Sequence, residues 1–337
     1  MTGIHKVYIH SKKLNYELEL RRNITIIRGD SGTGKTTLIR MIMLSRRKNS
    51  PYTVTCDKEC IAFTVDSFTE QTNLSEYKDS ILFLDEDIDF VKTKDFARIV
   101  KSSSCYFVIA TRETLDTLPY SCKEVYKLQQ NKLVSQDKLI NDCMHEIYNI
   151  SSKPKVCLDD ILSCIIVEDK KSGYQFFKKV ADSIGVECIS AGGKANVTRV
   201  YRKRLEKNKD TGILIIVDGA AFGAQFEELH EEIKRFYSTI IYLPESFEFV
   251  LLRSGLVRAE GLEDKLMNTC NYAESSEYFS WERYFTQLLQ DISRNTDFEY
   301  TKSELNPNYL KKSSMNKIKK IIPSGIGISR DRSEIKL

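Results

Sequence analysis

The sequence predicts an α/β protein whose strands form parallel sheets in two successive domains. Three observations support this fold class. The chain has 337 residues, which is long enough for two domains with separate cores. Short apolar runs alternate with amphipathic segments of helical period. Several of these runs end in glycine or in carboxylates, as expected where parallel strands present ligand-binding loops at one edge of a sheet.

Composition and charge are typical of a globular protein in the cytoplasm. The formal net charge of +4 is too small to indicate nucleic-acid binding by itself. No apolar run is long enough to span a membrane, and the N-terminus lacks a signal-peptide pattern. We therefore expect a cytoplasmic protein without a membrane partner. The nine cysteines lack the spacing of a disulfide framework and are expected to be reduced thiols.

The first domain, predicted over residues 1–150, contains a candidate phosphate-binding loop. Residues 29–37 read GDSGTGKTT and match the pattern G-x-x-x-x-G-K-[ST]. A buried strand is predicted before the loop and an amphipathic helix after it. Backbone N–H groups and the positive end of a helix bind phosphate at such a junction. Lys35 is expected to reach the β- and γ-phosphates of a nucleoside triphosphate, and Thr36 to bind Mg²⁺. The predicted nucleotide-binding residues are Gly29, Asp30, Ser31, Gly32, Thr33, Gly34, Lys35, Thr36, Thr37 and Asp85.

A second nucleotide motif follows the loop. Residues 80–84 read SILFL, a predicted buried strand, and they lead directly into Asp85 and Glu86. Such a strand delivers carboxylates to the edge of the sheet where ligands bind. The pattern resembles the Walker B motif. This resemblance implies that Asp85 orients Mg²⁺ and that Glu86 polarises the attacking water.

The first domain as a whole resembles the ABC-type ATPases. Residues 4–9 and 14–20 alternate apolar and polar side chains, like the antiparallel β-layer that precedes the phosphate-loop strand in that family. In related ATPases the strand after Walker B ends in a sensor of the γ-phosphate. Thr111 and Arg112 follow the next apolar run, so either residue is a candidate sensor; capping of the strand end is the alternative. No LSGGQ signature lies between the two motifs, which leaves ATP-driven dimerisation of the ABC kind open.

The second domain is predicted over residues 151–255, because Lys153-Pro154 and the polar residues near it indicate a domain boundary at about residue 150. Strand and helix patterns alternate here as well, which indicates a second parallel sheet. The first strand ends in Glu168 and Asp169, and the third ends in Asp218. The predicted strands are at residues 164–167, 186–190, 213–217 and 239–243.

The order of these elements resembles a TOPRIM domain, the metal-binding fold of topoisomerases, primases and related nucleases. The matching residues are Val-Glu-Asp at 167–169, Gly-Gly-Lys at 192–194 and Val-Asp-Gly at 217–219. Together with the Walker motifs, they make the chain similar to the overcoming-lysogenisation-defect (OLD) family, in which an ABC-type ATPase precedes a TOPRIM nuclease. Leu243-Pro244 and Glu248 resemble a further motif of some relatives. The resemblance implies cleavage of nucleic acid, controlled by the nucleotide state, in defence against phage.

Carboxylates at neighbouring strand ends can bind Mg²⁺ or Mn²⁺. Glu168 is the candidate metal ligand or acid/base, and Asp218 is the candidate ligand. The expected catalytic residues are therefore Glu86, Glu168 and Asp218, and the expected metal-binding residues are Thr36, Asp85, Glu168 and Asp218.

One departure from the TOPRIM pattern leaves alternatives open. The family has Asp-x-Asp on the third strand, whereas this chain has Ala220 in the second acidic position. Either Glu227, Glu228 or Glu248 compensates, or the site uses one metal, or the domain does not cut. A further alternative is that the strand-end acids only cap helices.

Residues 256–337 are predicted to form a helical extension with a basic tail. From Lys311 to the end there are eight Lys/Arg, which would suit an arm that contacts phosphates or a solvated terminus. The rival to a nuclease is a regulatory or scaffold ATPase that binds a partner protein or nucleic acid without cutting it. A kinase-like enzyme ranks last because no acceptor-binding motif is found. ATP is preferred over GTP because no Asn-Lys-x-Asp motif occurs, and homo-oligomer and partner protein both stay open.

Overall fold

The computed structural model divides the chain into two compact units. Unit 1 comprises Met1–Asn149 and Asn268–Ser280, and unit 2 comprises Ile150–Met267 and Trp281–Leu337. The expected C-terminal extension is thus shared between the units. The predicted boundary at Lys153–Pro154 and the end of the basic tail lie outside the described residues. The described residues are 1–69, 71–131, 140–146, 157–207, 212–234 and 238–328.

Unit 1 is built on a mixed β-sheet. Its strands run in the order β4-β1-β2-β9-β8-β3-β7-β6-β5 across the described residues. Strands β8, β3, β7, β6 and β5 pair in parallel, whereas β1 pairs with β2 and β4 in antiparallel fashion. The strands are His5–His10 (β1), Asn15–Leu20 (β2), Ile24–Arg28 (β3), Thr53–Thr55 (β4), Glu59–Phe63 (β5), Ser80–Leu84 (β6), Tyr106–Thr111 (β7), Val125–Asn131 (β8) and Ile140–Glu146 (β9).

Burial follows the predicted patterns in this unit. Alternate residues of β1 are buried, whereas every residue of β3, β6 and β7 is buried, as expected for central parallel strands. The helices of this unit are Lys35–Ser45 (α1) and Lys94–Ser102 (α2). Because β7 lies between β3 and β6, the segments that follow these three strands meet at one edge of the sheet.

Unit 2 contains a four-stranded parallel sheet, so the expected α/β class is confirmed. The strand order is β11-β10-β12-β13, and each neighbouring pair is parallel. The strands are Leu162–Val167 (β10), Glu187–Ser190 (β11), Gly212–Ile216 (β12) and Thr239–Tyr242 (β13). The helices are Ser172–Ile184 (α3), Val197–Lys207 (α4), Gly223–Ile233 (α5), Phe247–Arg253 (α6), Leu262–Met267 (α7), Trp281–Ser293 (α8) and Lys312–Lys319 (α9).

Helix α3 shows how the local sequence fixes an element of unit 2. Phe176, Phe177 and Val180 lie on its buried face. Gly185 follows the helix with a φ of 69°, a left-handed conformation that glycine adopts without strain. Its backbone N–H donates to the carbonyl oxygens of Ala181 and Asp182. The helix therefore ends at the glycine that the sequence indicated.

Two further properties concern all described residues. None of their helices combines the length and the apolar character that crossing a membrane requires. The cysteines whose side chains are described are free thiols, namely Cys56, Cys60, Cys105, Cys122, Cys157, Cys164, Cys188 and Cys270.

Candidate functional site

The glycine-rich loop of unit 1 is a tight turn between β3 and α1. Gly29, Gly32 and Gly34 have φ values of 148°, 80° and 96°, which side chains other than glycine rarely tolerate. A Cβ atom at Gly29 would lie 2.9 Å from the Thr33 hydroxyl oxygen. That hydroxyl donates to the carbonyl of Asp30 at 3.0 Å. Glycine is therefore required by the shape of the loop. Four of the predicted binding residues are exposed, namely Asp30, Ser31, Gly32 and Thr37.

Lys35 begins α1, and its ammonium group is buried beneath this loop. The side chain is 3% exposed. Its Nζ atom donates to the carbonyl oxygens of Gly29 at 2.5 Å and Asp30 at 3.0 Å. It also lies 3.1 Å from Oε2 of Glu86. The lysine thus links the first predicted motif to the carboxylate of the second.

Thr36 makes a second link between the two motifs. Its hydroxyl donates to Oδ1 of Asp85 at 3.3 Å, and the same oxygen accepts the backbone N–H of Glu86 at 2.9 Å. Burial raises the pKa of Asp85 above its ordinary value. A hydroxyl beside a carboxylate suits Mg²⁺ bound to phosphates, because this ion takes few protein ligands and keeps several waters. The residues present therefore fit the Mg²⁺ of a nucleotide complex.

Glu86 is held by cations on both sides. Arg112, which follows β7, donates from Nη2 to Oε1 at 2.5 Å and from Nε to Oε2 at 3.1 Å. This fork-shaped contact is the strong form of the arginine–carboxylate pair. The Arg112 guanidinium lowers the pKa of Glu86 in spite of burial, and Lys35 adds to the effect. Of the two candidate sensors, Arg112 contacts Glu86, whereas Thr111 is buried and its hydroxyl donates to the carbonyl of Glu113.

The predicted carboxylates of unit 2 also meet at a sheet edge. Oε2 of Glu168 accepts the backbone N–H of Asp218 at 3.0 Å. Oδ1 of Asp218 accepts the N–H of Phe247, the first residue of α6, at 3.0 Å. Oδ1 of Asp169 accepts the N–H of Tyr174 in the first turn of α3 at 2.8 Å. Asp169 and Asp218 therefore each accept a backbone N–H group from the first turn of a helix, while Glu168 links the two strand ends.

These three acids line a small half-buried pocket whose other walls include Phe177, Phe247 and Val250. Burial raises the pKa of Glu168 to about 7. It also raises the pKa of Asp169, and it raises that of Asp218 well above its ordinary value. Burial in this pocket thus opposes the ionised form of all three carboxyl groups.

A buried ion-pair network lies beside this pocket. Glu248 is 0% exposed, and its Oε1 accepts the Tyr300 hydroxyl at 2.6 Å and Lys302 Nζ at 2.7 Å. Lys302 Nζ also lies 3.4 Å from Oε1 of Glu282. Burial opposes both charges, yet the pKa of Glu248 is lowered because Lys302 favours its ionised form. The pKa of Lys302 is raised by Glu248, Asp218 and Glu282.

The sequence identified Glu248 as a secondary candidate but gave no indication of Lys302 or Tyr300. These two residues stand far along the chain in a polar stretch without a recognisable motif. Of the other residues suggested to compensate for Ala220, Glu228 forms an exposed ion pair with Arg202 at 3.0 Å. The ammonium of Lys194 donates to the carbonyl of Ala221 at 3.1 Å.

The metal-binding capacity of unit 2 is limited. Among the described residues, no group of three or more His, Cys, Asp or Glu side chains is arranged to hold a metal ion. Glu168 and Asp218 form a pair, which fits one divalent ion that retains water ligands. The pair alone does not fit two ions.

Comparisons with models of protein families, with curated proteins and with solved structures found no match. Function is therefore inferred from the chemistry of the two sites.

Proposed function

We propose that unit 1 binds and hydrolyses a nucleoside triphosphate with Mg²⁺, and that ATP is its nucleotide. The observation that supports this proposal is the meeting of the two motifs. Thr36 lies 3.3 Å from Asp85 and Lys35 lies 3.1 Å from Glu86, at the edge where parallel strands bind ligands. A Gly-rich turn that matched the motif by chance would not be expected to place its lysine and threonine against two consecutive acids.

The side chains of this site divide the work of phosphoryl transfer. Backbone N–H groups of residues 29–35 receive the phosphate oxygens, and Lys35 exchanges its loop carbonyls for the β- and γ-phosphates. Thr36 and Asp85 would hold the Mg²⁺ of the nucleotide, which would neutralise charge on the phosphates. Glu86 accepts the proton of the attacking water. Arg112 holds the Glu86 carboxylate in place and senses the γ-phosphate.

The direct test of this proposal is release of phosphate from ATP by the purified chain, with and without Mg²⁺. Hydrolysis that requires Mg²⁺ is the expected result. ATP binding without hydrolysis, or no binding, would contradict it. GTP tested in parallel would show whether ATP is the preferred nucleotide.

For unit 2 we propose divalent-metal-dependent cleavage of nucleic acid, controlled by the nucleotide state of unit 1. Glu168 and Asp218 support this function because they stand together at the ends of β10 and β12. They would hold one Mg²⁺ or Mn²⁺, which activates water and neutralises charge at a phosphodiester. Lys194 supplies a positive charge close to Glu168. A role in phage defence is part of this proposal through the resemblance to OLD-type proteins.

The rival function is a regulatory or scaffold ATPase that does not cut. It is favoured by a specific observation, since Asp169 and Asp218 already accept backbone N–H groups from the first turns of α3 and α6. In that case unit 2 binds a partner protein or nucleic acid, and its acids serve stability.

Cleavage assays separate the two functions. Plasmid DNA and RNA would be incubated with Mn²⁺ or Mg²⁺, with and without ATP. The wild type would be compared with Glu168→Ala, Lys35→Ala and, as a matched control, Glu187→Ala, whose exposed side chain pairs with Arg204. Cutting that is lost in Glu168→Ala alone among the acid variants supports the nuclease. No cutting in any lane, with ATP binding intact, supports the regulatory ATPase.

A further inference from the structure

The acidic site of unit 2 contains a cation of its own. Lys302 lies in the segment after α8, far along the chain from the strands that carry Glu168 and Asp218. Its ammonium lies 2.7 Å from Glu248 and 3.4 Å from Glu282. Asp218 interacts with the same charge through space. The positive charge of one lysine therefore acts on three carboxylates from separate parts of the chain.

The Lys302 ammonium neutralises carboxylates in this site, as a metal ion does in other acidic sites. Glu248 is fully buried, and a buried carboxylate without a cation is strongly unfavourable. Tyr300 donates one hydrogen bond to it but carries no charge. The ionised state of Glu248 thus depends on Lys302.

Glu248 also retains an unused ligand atom. Its Oε2 is buried and has no hydrogen-bond partner among the described residues. A carboxylate oxygen in this state is a strong acceptor that a cation or a water could use. The third strand, by contrast, lacks the second acid of the Asp-x-Asp pattern because Ala220 stands there. The site therefore has fewer acids than two divalent ions need, and it has one fixed positive charge.

We propose that Lys302 takes the place of a second divalent ion in the acidic site of unit 2, so that the site accepts no more than one such ion. This inference builds on the metal-binding role proposed for Glu168 and Asp218. It makes a prediction about ion binding that does not depend on nuclease activity. Without the ammonium, the oxygens of Glu248 and Glu282 that now contact it become available to a divalent ion that keeps water ligands.

The test is a Mn²⁺ titration of the nucleotide-free full chain by calorimetry and electron paramagnetic resonance. Lys302→Met is expected to bind an additional Mn²⁺ compared with the wild type. The additional ion is expected to disappear in Lys302→Met/Glu248→Gln. Lys302→Arg keeps the charge and should bind as the wild type does. Lys178→Met is the matched control, since this exposed lysine of unit 2 pairs only at the surface with Asp182.

Stability provides a second measurement in case Lys302→Met folds poorly without metal. Mn²⁺ is expected to raise the melting temperature of Lys302→Met by more than it raises that of the wild type, and EDTA should reverse the gain. The inference is overturned if Lys302→Met gains neither an ion nor stability from Mn²⁺, or if the wild type already binds two ions without nucleotide. A wild type that binds none, with an ion gained in Lys302→Met, supports the inference while contradicting the metal role proposed for Glu168 and Asp218.

Discussion

The two candidate sites contain the same kinds of residue but differ in how the lysine is paired. Each places carboxylates at the ends of parallel strands and brings a lysine to them. In unit 1, Lys35 contacts Glu86 and two loop carbonyls, all of which phosphate groups can replace. In unit 2, Lys302 lies in a network with the fully buried Glu248. In the proposed function the first site exchanges these contacts for a ligand, whereas in the second site Lys302 stays paired with Glu248.

A lysine beside an acid can therefore serve either ligand binding or stability, depending on its other partners. Lys35 is buried too, but its partners are two loop carbonyls and Glu86, which Arg112 also contacts, so a polyanion at the loop can replace them. A lysine whose partner is a buried carboxylate holds the fold together, because separation of the pair exposes a charge to an apolar environment. Four substitutions test the contrast.

Glu248→Gln should give the largest loss of stability. It removes the negative charge that lies 2.7 Å from the Lys302 ammonium, and the loss of one charge of a buried pair costs about 3 kcal/mol in the free energy of unfolding. Urea unfolding followed by tryptophan fluorescence measures it selectively, because the one tryptophan of the chain, Trp281, lies in unit 2.

The matched control for this substitution is Asp182→Asn, which breaks an exposed pair with Lys178. Its cost should stay below about 0.5 kcal/mol. Equal losses in the two variants would show that the network around Glu248 is no more than a surface ion pair.

Lys35→Ala should weaken ATP binding with little change in stability. Loss of a charged contact to phosphate costs at least about 2 kcal/mol, which corresponds to an affinity roughly 30-fold lower. Binding of a fluorescent ATP analogue measures the change. Lys6→Ala is the control, since this exposed lysine of unit 1 lies 3.8 Å from Glu19. Affinities within threefold of each other for Lys35→Ala and the wild type would break the proposed contrast.

The pH dependence of stability should identify the environment of Glu168. Its pKa is about 7 in the folded protein and near 4.5 as an ordinary value, so between these pH values the folded state keeps a proton that the unfolded state releases. The free energy of unfolding therefore decreases as pH rises through this window. Glu168→Gln cannot ionise and should lose this contribution, a difference of about 3 kcal/mol across the window.

The measurement is urea unfolding of both proteins between pH 4.5 and 8 with EDTA present. Contributions of other groups are common to both proteins, so the difference between their curves reports Glu168. A constant difference across the window would mean that the carboxyl group is not desolvated in the folded state.

Much of the first site was predictable because its determinants are local in sequence. The apolar run predicts β3, the glycines predict the loop that follows it, and the amphipathic period predicts α1. The parallel sheet of unit 2 followed from repeated strand–helix patterns in the same way. Propensity and periodicity suffice where an element's own residues determine its structure.

The remainder depends on contacts between distant residues. The Asn23 side chain, for example, donates to the carbonyl of Phe279 at 3.2 Å, which brings a segment of the expected extension into unit 1. Lys302 reaches Glu248 in a comparable way. Neither contact has a signature in the flanking residues, since a single asparagine or lysine is compatible with many positions on a surface. Charge balance in a folded site is a property of the tertiary structure.

The central claim is that the edge of the unit 1 sheet hydrolyses ATP, and Glu86→Gln tests it most directly. Removal of the base should lower the rate of Mg²⁺-dependent ATP hydrolysis about 100-fold while ATP binding is retained. Glu59→Gln, which changes an exposed glutamate paired with Arg46, should hydrolyse ATP as the wild type does. If Glu86→Gln hydrolyses ATP at the wild-type rate, or if the wild type does not hydrolyse it at all, the assignment of this site is wrong.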